Sequence, residues 1–213
     1  MNKKTKSIVP MLITGLLTGV LLVAMVGFKS TPVYAHIVPS PCDFTTGGGF
    51  VLTDSGNHAN FGLVGGCKND GFFGHVNFVD HDTTNTVSSM CCAGLHVSSD
   101  TIDGYFEPSA GSNVRDICGT ADTNNPLLPT VKFRARTEDN ADPNPGGRGV
   151  DKFGLKLTAT SGPFTGDSGV VVTTRLLAGG DIELHKPNPS TTGPSTPPNE
   201  ITACGSDDSG LGT

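Results

Sequence analysis

Val131-Lys132-Phe133-Arg134-Ala135-Arg136-Thr137 alternates apolar and basic residues along its length. A strand sends successive side chains to opposite faces, so Val131, Phe133 and Ala135 share one face. Lys132, Arg134 and Arg136 share the other. The pattern is that of a half-buried β-strand. No stretch after residue 35 holds a helical period in the same clear way.

Further short runs of the same kind flank this one. Phe153, Leu155 and Leu157 alternate with Lys152, Gly154 and Lys156. Strands are also expected at Gly49 to Thr53, Ala59 to Val64, Phe72 to Asp80, Gly94 to Ser98, Thr101 to Glu107 and Val114 to Thr120. Val170 to Leu177 and Asp181 to His185 flank Ala178-Gly179-Gly180. That reads as a hairpin, because glycine tolerates the positive φ of a tight turn. About ten short strands separated by turn residues predict an all-β fold, an antiparallel sandwich or partly open barrel. The ten phenylalanines after residue 35 suffice to fill its core.

The ends differ from this middle. Lys3, Lys4 and Lys6 precede an apolar run from Ile8 to Phe28, and Val33-Tyr34-Ala35 supplies the small residues a signal peptidase reads. Residues 1–35 therefore read as a signal peptide cleaved before His36, giving a secreted protein. The apolar run is also long enough to span a bilayer, so an uncleaved N-terminal tether is the alternative. Residues 36–41 form a short lead-in, and 42–186 form one domain. Residues 187–213 are rich in Pro, Ser, Thr and Gly and nearly free of apolar side chains. Composition predicts a disordered tail, which Cys204 can staple to the domain.

The leader holds four of the 14 basic residues and none of the 20 acids, leaving ten basic against twenty acidic residues and a net charge of −10. Phosphate binding needs clustered Lys and Arg, so nucleic acid is excluded as a partner. No basic amphipathic stretch suggests membrane association once the leader is cleaved. Cys42, Cys67, Cys91, Cys92, Cys118 and Cys204 all follow the leader. An even number in an exported chain points to disulfides, but six cysteines allow 15 pairings. Adjacent Cys91 and Cys92 are expected to reach different partners, or one stays free.

Two places offer metal chemistry. The loop from Glu138 to Asp151 carries Glu138, Asp139, Asn140, Asp142 and Asp151 between two strands. Calcium takes six to eight oxygen ligands from flexible acidic loops, so these five residues are candidate Ca²⁺ ligands, although the EF-hand spacing is missing. The same residues are ordinary turn formers. His81 and His96 face each other if residues 82–95 form a hairpin loop, and imidazoles ~5 Å apart suit zinc or copper. A third ligand is missing.

Other signals are weaker. Gly166-Asp167-Ser168-Gly169, with His58 and Asp103 upstream, has the residue order of a serine-protease triad. The flanking residues do not match, and Gly, Asp and Ser are also turn chemistry. A stacking platform for sugars needs flat aromatic faces, and after the leader only Tyr105 joins the phenylalanines, with no Trp.

An ordered series of motifs comprises Cys42 to Phe50 (CDFTTGGGF), Ala59 to Gly62 (ANFG), Gly74 to His81 (GHVNFVDH) and Gly94 to Val97 (GLHV). The Thr137 to Phe153 segment and Gly179 to His185 (GGDIELH) continue it over nearly all of 42–186. The series resembles the bacterial exported domain family called post-COAP. The resemblance implies an all-β domain of secreted or surface proteins and brings no known reaction or catalytic residue. Residues 83–93 depart from it as an insertion carrying Cys91 and Cys92. The expectation is a non-catalytic structural or interaction module with an unknown extracellular or cell-surface partner. A calcium-dependent binding module using the 138–151 loop comes second, and a metal-dependent enzyme through His81 and His96 third.

Overall fold

The computed structural model describes residues 36–81, 94–140 and 147–212. Its strands are β1 (Phe44–Leu52), β2 (His58–Lys68), β3 (Gly71–Asp80), β4 (His96–Phe106), β5 (Val114–Thr123), β6 (Thr130–Glu138), β7 (Lys152–Ala159), β8 (Ser168–Leu176) and β9 (Gly179–His185). A short helix, α1 (Glu200–Cys204), follows them. The strands form one antiparallel sheet in the order β8-β7-β6-β5-β4-β3-β2-β1-β9, curled into a half-barrel. The all-β expectation holds, in its partly open barrel form rather than as two stacked sheets. The runs at Gly94 to Ser98 and Thr101 to Glu107 merge into β4, whose pairing with β5 shifts register between Ser99 and Thr101. An extra residue at such a bulge breaks the alternation, which makes one strand look like two.

The hairpin expected around Ala178-Gly179-Gly180 does not form. β8 pairs with β7 and β9 pairs with β1, at opposite edges of the sheet. Leu177 and Ala178 alone connect them. Three Cα steps span at most ~11 Å, whereas the edges of a flat nine-stranded sheet would lie ~38 Å apart. Covalent continuity therefore requires the sheet to curl until its edges meet at that point. Glycine permits the close approach: a Cβ on Gly49 of β1 would strike the carbonyl of Gly179 on β9. Its partner Gly180 holds φ at 103°, a region that favours glycine.

The concave side is the apolar core. Val131, Phe133 and Ala135 lie in it, fully buried with Val76, Phe78, Ile117 and Leu155. Phe61 of β2 and Phe153 of β7 are five strands apart in the sheet, yet their rings stack with centroids 4.1 Å apart. Contact across the interior of this kind is possible only because the sheet is curled. Tyr105 is also fully buried, so it offers no face to a sugar.

The convex side of β6 departs from expectation. Arg134 is 0% exposed and Arg136 3%. They are covered by the segment whose composition predicts disorder. Residues 187–212 run back over the domain: Asn69 and Asp70 donate from their backbones to Ser190 and Thr192 carbonyls. Next, α1 packs Ala203 and Cys204 against Phe106 and Cys118, and Cys118 is bonded to Cys204. The helix is capped by Asn199, whose side chain accepts from the Thr202 N–H, and ends at Gly205 in the left-handed conformation. A second disulfide joins Cys42 to Cys67 and ties the lead-in to the end of β2. Cys91 and Cys92 lie outside the described residues.

Candidate functional site

The densest cluster of chemistry lies between the convex sheet face and the C-terminal strap. Asp116 of β5 is fully buried and accepts from Arg136 Nε at 2.8 Å and Nη2 at 2.9 Å. Arg134 Nη1 also donates to it at 2.7 Å, and His36 Nδ1 lies 3.0 Å away. From the strap, Glu200 Oε1 accepts from Arg134 Nη1 at 2.6 Å, and Asp208 Oδ2 accepts from Arg136 Nη2 at 2.9 Å. The guanidiniums also donate to the Ser206 and Gly212 carbonyls. Nearby, Lys156 Nζ donates to the Asp207 and Ser209 carbonyls at 3.0 and 2.9 Å. Arg134 and Arg136 of β6 and Lys156 of β7 thus become a row of donors for a strap that has little apolar surface of its own.

Electrostatics follow from this geometry. Burial alone pushes the Asp116 carboxyl up, but Arg136, His36 and Arg134 pull it far below the ordinary carboxylate range. Asp207 is lowered to about 2 by hydrogen bonds from Ser209 and Lys156. Arg136 is raised above its usual value because the Asp116 and Asp208 interactions outweigh burial. A second knot holds the lead-in. Arg115 donates to Asp43 from Nε at 3.1 Å and Nη2 at 2.6 Å, and Tyr105 Oη donates to Asp43 at 2.7 Å. Burial and the Asp43 charge push the Tyr105 phenol well up.

His36, Asp116 and Glu200 are, among the described residues, the one group whose ligand atoms lie close enough to hold a metal. Sequence reading missed it, since its members are up to 164 positions apart. The same carboxylate oxygens already receive two guanidiniums at 2.6–2.9 Å. A cation entering there would meet that positive charge at close range, so an ion-pair knot fits this residue set better than a metal centre.

The residues singled out for metals have other employment. Ile182 and Leu184 of β9 turn their N–H groups away from β1, toward the open edge. Asp151 Oδ2 accepts from Ile182 at 2.9 Å and Asp139 Oδ2 accepts from Leu184 at 2.7 Å. Asp151 Oδ1 takes the Asn140 N–H, Asn140 Nδ2 donates to the Val150 carbonyl, and Glu138 pairs with Lys152. Asp142 lies outside the described residues. The loop carboxylates therefore serve as substitutes for a missing neighbouring strand. His96 stands opposite Val79, not His81, and its Nε2 lies 2.9 Å from Asn77 Oδ1. The facing pair expected of His81 and His96 is not formed, because the register sets them two positions apart.

The triad-like residues are likewise separate. His58 stacks on Phe50, and Asp103 pairs with Lys132 at 2.6 Å. Clefts on the surface of the described residues include the following pair. One of about 420 Å³ lies between the lead-in and residues 188–197, lined by Val38, Pro39, Pro41, Pro189, Thr192 and Pro194. The other, about 610 Å³, lies beside the β8–β9 connection with Leu52, Lys152, Arg175 and Leu176. Neither combines an acid with a base or a nucleophile beyond hydroxyls.

Fold and site define a disulfide-stapled, all-β half-barrel locked from outside by an ion-paired strap. No protein-family model, curated protein or solved structure matches this chain. The two disulfides point to an oxidising environment. Among the described residues, no helix is long and apolar enough to cross a membrane.

Proposed function

We propose that this protein is an exported structural or interaction module, cleaved before His36 and related to the post-COAP domains, which presents its surface to an extracellular partner. The observation that carries this reading is the employment of its ionisable groups. Arg115, Arg134, Arg136, Lys156, Asp43, Asp116 and Asp151 all bind other parts of the same fold. Such side chains stabilise a shape, whereas catalysis needs groups aimed at a substrate. Disulfides and an ion-paired strap suit a domain that must persist outside the cell.

The test is to secrete the full chain from a bacterial host and measure intact mass with elemental content. The expected product begins at His36, carries intact Cys42–Cys67 and Cys118–Cys204 bridges, and holds no stoichiometric metal. Stoichiometric calcium lost on chelation would instead favour the binding module using the 138–151 loop. Stoichiometric zinc or copper would favour the enzyme reading.

A further inference from the structure

The proposed cleavage point coincides with the buried knot. His36 is 9% exposed, and its backbone nitrogen donates to Glu200 Oε2 at 2.9 Å. Its imidazole contacts Asp116 at 3.0 Å, Glu200 at 3.2 Å and Asp208 at 3.5 Å. Glu200 is the charged partner of that nitrogen, and the cluster around the His36 side chain comprises Asp116, Glu200 and Asp208 with the guanidiniums of Arg134 and Arg136 that pair with them. Three carboxylates thus face two guanidiniums and one imidazole, and the His36 backbone nitrogen meets one of those carboxylates, Glu200, directly.

We infer that leader cleavage before His36 creates an α-ammonium that salt-bridges Glu200 inside the knot, so that processing itself locks the strap onto the barrel. The inference rests on the proposed export reading. A signal peptidase uses water to hydrolyse the Ala35–His36 peptide bond. The carboxylate leaves with the leader, and the amine released on His36 takes up a proton. Before cleavage the same nitrogen is an amide N–H, which donates a hydrogen bond but carries no charge. After cleavage the bond to Glu200 is charge-assisted, and such bonds are about twice as strong as neutral ones. Glu200 in turn holds Arg134 and begins α1, whose Cys204 is bonded to Cys118. The new terminus thus acts on the whole strap.

Two forms of the otherwise full mature chain test this: one starting at His36, and one starting with Gly-Ser ahead of His36. Each is also made with Glu200→Gln. The His36-start form should melt at least about 4 °C above the extended form, the equivalent of one to two kcal/mol for a domain of this size. In the E200Q background the extension should cost much less. Equal melting of the two forms, or the same penalty with Gln at 200, would overturn the inference.

Should E200Q not fold, amine labelling replaces it. An α-amine bonded to the Glu200 carboxylate should acetylate about tenfold more slowly in the native protein than in denaturant, because the opposite charge holds it protonated. Equal rates overturn the inference. Because the His36-start form can be cut from a fusion in vitro, this test is independent of where the cell cleaves. If the exported chain retains residues 1–35, cleavage before His36 fails, while the two-form comparison still decides the salt bridge.

Discussion

Asp116 is the residue on which most of the knot depends. It is fully buried and receives both guanidiniums of β6. Removing one partner of a buried charge cluster leaves the others uncompensated, so Asp116→Ala should cost about 3–5 kcal/mol. The check is a shift of the denaturant midpoint at constant slope. Its depressed pKa also sets the sign of the acid response. Its contribution is complete well above the unfolded value near 3.9 and is lost as pH falls through the lower folded value. The wild-type protein should therefore lose stability progressively below about pH 5, and Asp116→Ala should show a flatter profile there. A variant with an unchanged acid slope would show that other carboxylates carry the effect. Nothing in the alternation of β6 tells that Arg134 and Arg136 are buried, because Asp116, Glu200 and Asp208 come from distant segments.

At the scale of elements, the strap shows where composition misleads. Residues 187–212 are nearly free of apolar side chains, so a count of buried hydrophobic surface predicts disorder. They are held instead by ion pairs, by carbonyls accepting from Arg134, Arg136 and Lys156, and by a disulfide. The Cys118–Cys204 bridge spans 86 residues and Cys42–Cys67 spans 25. Loop-closure entropy assigns them about 4.6 and 3.5 kcal/mol. Replacing both cysteines of the longer bridge with alanine should be the more damaging change. Hydrogen exchange should locate the first opening in residues 199–212. Uniform exchange across the sheet would mean that the strap and barrel unfold together regardless of the bridge.

The whole molecule is a sheet with two edges to protect. An exposed edge presents unpaired backbone groups, a template for association. On the edge of β9, Asp151 and Asp139 take the Ile182 and Leu184 N–H groups, and on the edge of β8 the Leu211 carbonyl accepts from the Thr174 N–H at 2.6 Å. Asp151→Ala strands a buried donor, Ile182 N, and a half-buried one, Asn140 N, and should cost about 2–4 kcal/mol. If the loop closes the seam without metal, chelator should leave the wild-type melting temperature unchanged and Asp151→Ala should be destabilised equally with and without calcium. A melt that falls on chelation would restore calcium to the loop. Gly49→Val should be worse still, since its side chain would enter the Gly179 backbone and spread β1 from β9. Light scattering should then detect self-association through the freed edge.

Period-two alternation and turn residues made the strands legible, since pleating and backbone dihedrals are local properties. Val131, Phe133 and Ala135 point inward as the alternation requires. Cysteine number made the oxidised character legible, and Cys204 does staple the C-terminal segment. The curl, the strap and the knot were decided by tertiary structure alone. Leu177 and Ala178 look like part of a hairpin until the sheet order shows them joining opposite edges. Asp139 and Asp151 look like metal ligands until β9 arrives with unpaired N–H groups. In each case the local pattern names a group's chemistry. Its partner is chosen by the closure of the sheet, which brings together segments that the sequence holds far apart.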